Sequence, residues 1–195
     1  MSIVDKCIKW NAARFEQEFN YNLAVELLIE ETDELFAADT FVDVLDAVGD
    51  ITFVAIGVMW KMGIPQEVIE DLFYKNDMTL MTSAQAYNHC CFINNMFITN
   101  VEEPALGEVP VLNFAAMSAF ITALSAIRGA GMQKAYYEVC DAICDSNNTK
   151  EVKSVKTTSN IKANIDKGSK YIPPTEKLQK IRDFYLMKDK GKFAS

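Results

Sequence analysis

Two acidic clusters lie close together in the sequence, each embedded in apolar residues. The stretches are LLIEETDELF (Leu27–Phe36), with Glu30, Glu31, Asp33 and Glu34, and FVDVLDAVGDITF (Phe41–Phe53), with Asp43, Asp46 and Asp50. Like charges three or four residues apart on a helix repel by about 0.2–0.5 kcal/mol per pair, and acids in an apolar helix cost more unless something neutralises them. Mg²⁺ and Mn²⁺ prefer carboxylate oxygens, so the clusters predict a divalent metal site.

Helical spacing places the acids of each cluster on one face. Glu34 lies four residues after Glu30 and three after Glu31, and Asp50 lies four after Asp46. The connection at about 38–40 is short, which predicts an antiparallel helical hairpin with facing acidic sides. The alternative is a pair of amphipathic helices that show their acids to water.

The sequence lacks the residues that several other metal and nucleotide sites require. A di-iron bundle needs two Glu-x-x-His motifs, but His89 is the single histidine. The acids do not follow the spacing of an EF-hand loop, and the sequence has neither a Walker A loop nor a glycine-rich dinucleotide turn. Carboxylates, a divalent ion and a basic segment leave phosphate chemistry.

Hydrophobic periodicity predicts an all-α protein. Helices are expected over about 3–19, from 23 to about 37, from a Thr40 N-cap to about Met62, through 68–74, over 134–144 and over 177–187. Asp43 would complete an acidic capping box with Thr40, and Gly63 and Pro65 would end the third helix. We expect one domain over 1–195, with a helical insertion at about 70–130 and a basic tail at about 145–195.

Charge and composition indicate a protein of the cytoplasm. The net charge is −8, yet twelve of the 19 Lys and Arg residues and only five of the 27 acids lie at 150–195. This segment predicts an anion-binding tail, with a solubilising tail as the alternative. The five cysteines form no CxxC pair and favour reduced thiols. No apolar run reaches the ~20 residues of a membrane span, so no membrane partner is expected. No nucleic-acid partner is expected either.

The acidic motif resembles a known family. Glu-Glu-x-x-Glu at Glu30–Glu34, followed by LDAVGDITFVAIG at Leu45–Gly57, is similar to the MazG-like all-α nucleoside triphosphate pyrophosphohydrolases. Within that superfamily, DSNNTK (Asp145–Lys150) and KGSKYIPP (Lys167–Pro174) resemble tail segments of the phage and bacterial phosphoribosyl-ATP-pyrophosphohydrolase-like branch. The likeness covers 23–64 and 136–174 and leaves 70–130 unmatched.

This resemblance implies Mg²⁺-dependent cleavage between the α and β phosphates of a nucleotide, with Mn²⁺ as a substitute. It implies Glu31, Glu34 and Asp50 as metal ligands. Many relatives carry Glu where this chain has Ala47, and we expect Asp46 to act in its place.

General phosphate chemistry suggests roles for the remaining candidates. Glu30 would orient or deprotonate the attacking water. The expected substrate contacts are Asn147, Lys150, Lys167 and Lys170 for the phosphates, and Trp10, Phe19 or Tyr171 for the base. Each has a structural alternative: an exposed Glu30, a surface Lys170, or Trp10 in the core.

The expected function is therefore a (d)NTP pyrophosphohydrolase, with a purine deoxynucleotide such as dGTP or dATP preferred by analogy with phage relatives. Alternatives are a dUTP or dCTP diphosphatase, a phosphoribosyl-ATP diphosphatase, and a non-catalytic helical module that binds a metal or a partner. The family implies a homodimer or homotetramer, in the cytoplasm (the host's, if the chain is phage-encoded).

Overall fold

The computed structural model describes residues 1–75, 133–152 and 165–190. Within these ranges the chain forms six helices: α1 (Ile3–Ala12), α2 (Tyr21–Ala37), α3 (Phe41–Lys61), α4 (Gln66–Lys75), α5 (Gln133–Asn147) and α6 (Thr175–Lys190). Two short antiparallel strands, β1 (Glu151–Val152) and β2 (Ile165–Asp166), were not predicted. The predicted all-α class is confirmed. Most of the predicted insertion at 70–130 lies outside the described residues.

Helix α1 is shorter than its hydrophobic spacing suggested. Ser2 caps its start by accepting a hydrogen bond from the Asp5 amide, at 3.0 Å. Its predicted end near residue 19 is wrong, since the helix ends at Ala12. Beyond it the chain leaves the helical path, where the Gln17 side chain donates to the Trp60 carbonyl at 2.7 Å. A contact between residues so distant in sequence leaves no trace in local periodicity.

The predicted hairpin of α2 and α3 is present, and the two helices pack together across a three-residue connection. Thr40 is the N-cap of α3, and the capping box with Asp43 forms as predicted. The Asp43 amide donates to Thr40 Oγ1 at 3.2 Å, while Asp43 Oδ2 accepts from the Thr40 amide at 2.9 Å. Asp43 is therefore occupied by the cap at the start of the helix.

Helix α3 is the centre of the fold and contacts each of the other five described helices. Most of its length is buried. It approaches α5 closely at Gly49, where an added Cβ would collide with the side chain of Ile143. Gly63, with a φ of 78°, ends the helix in the left-handed region that glycine tolerates best. None of the described helices is long and apolar enough to span a bilayer.

Polar contacts join α5 to α1 and to α6. Lys6 on α1 forms ion pairs with Asp141 and Asp145 on α5, and Asp145 also pairs with Lys177 on α6 at 2.6 Å. Farther along, the Ser146 hydroxyl donates to the carbonyl of Ile172 at 2.8 Å. These contacts fold the basic tail back over the helices, so its lysines can approach the acidic hairpin.

Candidate active site

A cavity of about 410 Å³ lies beside the α2–α3 hairpin. The charged and amide groups at one part of its wall are Glu30, Glu31 and Glu34 of α2, Asp50 of α3, and Asn147, Lys150 and Lys167 of the tail. The remaining wall is mostly apolar and aromatic, from α1, α2 and α3. Seven of the predicted site residues from separate parts of the sequence therefore line the same space.

The carboxylates facing each other across the hairpin have raised pKa values. Burial raises the pKa of Glu31 to about 8, with further contributions from the negative charges of Asp50, Glu34 and Glu30. Burial likewise raises the pKa of Asp50 to about 7, against the opposing positive charge of Lys150. Both groups are held where a negative charge is poorly solvated and repelled, which is the environment that a bound cation would relieve.

Asp46 lies next to the same cluster without lining the cavity. Its Oδ1 atom is buried and has no hydrogen-bond partner in the described structure. Burial, followed by the charge of Glu34, raises its pKa, while Lys167 and Lys150 act in the opposite direction. Its buried oxygen therefore lacks the hydrogen-bond donor or cation that would stabilise the charged form. Ala47 instead packs in the hydrophobic core.

The basic tail reaches the cavity through two of its three predicted lysines. Lys150 lies three residues after the end of α5, and its amide donates to the Asn147 carbonyl at 3.1 Å. Lys167 follows β2, and its Nζ lies 5.3 Å from the centroid of the Tyr171 ring. Lys170 is exposed, and neither it nor Tyr171 is part of the cavity wall. Tyr171 therefore contacts Lys167, a cavity residue, without lining the cavity itself.

The aromatic part of the wall contains Trp10, Phe15, Phe19 and Phe53. Trp10 is only 7 % exposed, packs edge-on against Phe53 at 5.1 Å and has the Arg14 guanidinium 4.6 Å from its ring centroid. Its indole nitrogen donates to the Asn147 carbonyl at 2.8 Å. Trp10 is therefore largely a core residue that also forms part of the cavity wall.

The cavity residues that the sequence analysis did not single out include Asn11, Phe15, Phe53 and Lys61. They meet only because α1 crosses α3, and no spacing rule within either segment connects them. Gly57 is the one signal that a closer reading could have used. A glycine inside a buried helix indicates a close approach, and a Cβ there would lie 3.0 Å from Asn11 Nδ2.

The donor types suit a hard divalent cation, since they are carboxylate oxygens with one buried oxygen unpartnered. In the described residues, however, no three His, Cys, Asp or Glu side chains are already grouped closely enough to hold a metal ion. The carboxylates therefore fit a divalent cation by their residue type and by their place around the cavity.

An all-helical hairpin with carboxylates facing a common cavity is typical of the MazG-like nucleoside triphosphate pyrophosphohydrolase superfamily. Residues 7–76 match the family model of phosphoribosyl-ATP pyrophosphohydrolase, and this part of the chain is a domain of that family. The match spans α1 from Cys7 through α4, including the whole acidic hairpin. No curated protein and no solved structure matches the chain.

The matched family is one of enzymes. Its members are pyrophosphohydrolases that act on phosphoanhydride bonds of nucleotides. The tail segments that line the cavity, at 147–150 and 167, lie beyond the matched range.

Proposed function

We propose that the protein is a Mg²⁺-dependent nucleoside triphosphate pyrophosphohydrolase that releases a nucleoside monophosphate and diphosphate. The observation that carries this proposal is the single cavity that joins carboxylates of α2 and α3 to Asn147, Lys150 and Lys167 of the tail. Carboxylates alone would repel a triphosphate. Lysines alone would bind one without activating water. Together with a cation they suit hydrolysis of a phosphoanhydride.

Glu31, Glu34, Asp46 and Asp50 are the residues that would hold Mg²⁺, with Mn²⁺ as a substitute. When bound, the ion supplies charge neutralisation of the triphosphate and acidification of a water molecule. Support for this set comes from the raised pKa values of Glu31 and Asp50 and from the unpartnered buried oxygen of Asp46.

The chain's own groups supply positioning and proton transfer. Lys150 and Lys167 bind phosphate oxygens outside the reacting bridge, and Asn147 offers an amide donor. Glu30 lines the same cavity, one residue before a proposed ligand, and takes the proton of the attacking water. The water oxygen forms a new bond to phosphorus, the α–β bridging bond breaks, and diphosphate leaves with the bonding electrons. Alternatively, Glu30 orients the attacking water without accepting its proton.

The aromatic wall provides a place for a nucleobase, and we propose a deoxynucleoside triphosphate, with a purine such as dGTP or dATP preferred. The purine preference rests on the resemblance to phage relatives. The cavity residues also admit dUTP, dCTP or phosphoribosyl-ATP, the compound in the family's description. The alternative that is not an enzyme is a helical module that binds only a cation or a partner.

A nucleotide panel tests the proposal. Purified protein with Mg²⁺ or Mn²⁺ is incubated with each NTP, each dNTP and phosphoribosyl-ATP, and products are separated by anion exchange. We expect monophosphate and diphosphate, and loss of turnover in Glu34→Gln and Asp50→Asn. Asp33→Asn, an exposed neighbour on α2, is the matched control and should retain activity. Release of inorganic phosphate would reject α–β cleavage. Metal binding without turnover of any compound would favour the non-catalytic module.

We further propose that the chain forms one domain with an insertion at about 70–130, and that it assembles as a homodimer or homotetramer. The oligomer follows from the family resemblance, in which helical bundles are completed between subunits. Sedimentation equilibrium of the full chain tests it, and a monomer at every concentration would contradict it.

A further inference from the structure

Asn11 lies at the aromatic end of the cavity with its side chain orientation fixed. It is 6 % exposed, and its Nδ2 donates to the Cys7 carbonyl at 2.9 Å. A backbone carbonyl can only accept, so the nitrogen must be the atom that faces it. The amide cannot be flipped without losing this bond, and the position of Oδ1 is therefore settled.

The Oδ1 atom of Asn11 is a hydrogen-bond acceptor that remains available. No hydrogen bond reaches it from any residue that the structure describes. Nor is it among the fully buried side-chain atoms without a partner in those residues, which are Arg14 Nε and Asp46 Oδ1. Since Asn11 lines the cavity, Oδ1 is the atom of this side chain that remains for a ligand there.

Gly57 on α3 makes room for this amide. A Cβ added at Gly57 would lie 3.0 Å from Nδ2, 3.1 Å from Oδ1 and 3.3 Å from Cγ of Asn11, tighter than ordinary van der Waals contacts. Any larger residue at position 57 would displace the amide. The chain thus has a fixed acceptor on α1 and a matching gap on α3.

The acceptor is well placed relative to the acidic end. Gly57 lies seven residues after Asp50 on the same helix, so the two are separated by about 10 Å along the axis. That separation suits a nucleotide whose phosphates lie at the carboxylates and whose base reaches the aromatic wall. Phe53, one turn after Asp50, lies between them and contacts Trp10.

We propose that Asn11 is a specificity-determining residue whose Oδ1 accepts a hydrogen bond from the exocyclic amino group of the substrate's base. This inference deepens the proposed function and rests on it. Adenine, guanine and cytosine carry such a group. Uracil and thymine offer only a ring N–H between two carbonyl oxygens, whose lone pairs oppose an acceptor. The enzyme therefore prefers triphosphates of amino-bearing bases to those of uracil and thymine.

Calorimetry with α,β-imido triphosphates tests this inference without requiring turnover. Binding to the full chain with Mg²⁺ is compared within three pairs that differ by one amino group: adenine and purine, guanine and hypoxanthine, cytosine and 2-pyrimidinone. In at least one pair we expect the amino-bearing nucleotide to bind roughly tenfold more tightly. Asn11→Ala should bring that ratio close to one, mainly by weakening the amino-bearing member.

Two further variants keep the inference falsifiable. Gly57→Ala retains Asn11 but displaces its amide, and should lower the ratio in the same way even if Asn11→Ala folds poorly. Asn22→Ala removes an exposed amide outside the cavity wall and should leave the ratio unchanged. A ratio near one in the unmodified protein, or one that survives both cavity variants, would overturn the role of Asn11. Discrimination without hydrolysis would reject the proposed function alone, whereas failure to bind any triphosphate would reject both.

Discussion

The Trp10 indole nitrogen donates a hydrogen bond to the backbone carbonyl of Asn147, at 2.8 Å. This contact joins α1 to the last residue of α5, across most of the sequence. It fixes the point at which the tail leaves α5 and turns toward the acidic hairpin. A residue expected to stack on the base therefore positions a proposed phosphate-binding residue.

Trp10→Phe should keep the ring packing against Phe53 but remove the indole donor. The Asn147 carbonyl still accepts from the Lys150 amide, so the loss in unfolding free energy should be about 1 kcal/mol. We also expect a higher KM for the triphosphate, because Asn147 is less well held. Urea unfolding and steady-state kinetics measure both. Trp60→Phe is the matched control, and equal effects of the two changes would contradict the assigned role.

The tail lysines should differ in their effect on substrate binding. Lys150→Gln and Lys167→Gln should each raise KM by roughly tenfold, since both cations line the cavity and bind charged phosphates. Lys170→Gln should have a smaller effect, because Lys170 is exposed and outside the cavity wall. Lys180→Gln, an exposed residue of α6, should have none. A larger effect at Lys170 than at Lys150 would mean that the tail binds substrate in another arrangement.

Asp46→Asn should separate metal binding from folding. Losing one anionic ligand should weaken Mn²⁺ binding by about tenfold or more. Without metal, the same change removes a buried charge with an unpartnered oxygen, so the unfolding free energy should rise. Calorimetric titration and urea unfolding provide the two measurements, with the exposed Asp39→Asn as control. Unchanged Mn²⁺ affinity would exclude Asp46 as the replacement for the family's glutamate.

In the metal-free protein, the contribution of Glu31 and Asp50 to the free energy of unfolding should fall as pH rises. The pKa of Glu31 goes from 4.5 to about 8 on folding, and that of Asp50 from 3.8 to about 7. Between those values the folded state binds more protons than the unfolded state, so their contribution falls as pH increases. The stability of Glu31→Gln relative to the unmodified protein should therefore increase from pH 5 to pH 8.

Urea unfolding in the presence of a chelator, at a series of pH values, measures this difference. Glu26→Gln, an exposed glutamate on the same helix, should show no comparable trend. Added Mn²⁺ should remove most of the pH dependence at Glu31, since the cation replaces the protons. A difference that shrinks toward alkaline pH would contradict the predicted sign.

Gly49→Ala should destabilise the fold by about 1–3 kcal/mol, because the new methyl group would collide with Ile143 and overpack the α3–α5 contact. Thermal unfolding measures the loss. Ile143→Ala opens space at the same point, so the double variant should be more stable than the sum of the two single effects predicts. Strict additivity would indicate that α5 does not approach α3 there.

Local chemistry explains what the sequence could predict. The Thr40 cap and the end of α3 depend on residues adjacent in the chain, and both predictions are confirmed. The acids of the hairpin were predictable because helical spacing and a short connection determine which faces meet. For the tail, the charge distribution predicted anion binding, and the family resemblance singled out the segments that contain Asn147, Lys150 and Lys167, since no local rule relates them to the hairpin.

The errors and omissions involve contacts between distant segments. After the end of α1, Gln17 contacts Trp60, and at the aromatic end of the cavity Asn11 meets Gly57. From the sequence alone, the segment around Gln17 reads as an ordinary polar loop, and Gly57 as a glycine that weakens its helix. His89, Cys90 and Cys91 lie outside the described residues, so the predicted free-thiol state is described for Cys7, Cys140 and Cys144 alone.

The Thr40–Asp43 capping box has a consequence for the proposed metal site. The motif is satisfied entirely by neighbouring groups, so it helps to set the rotational phase of α3 through local contacts. That phase in turn decides that Asp46 and Asp50 point toward α2. The proposed ligands are thereby oriented by a contact between chain neighbours, and binding of a cation would require only adjustments of their side chains.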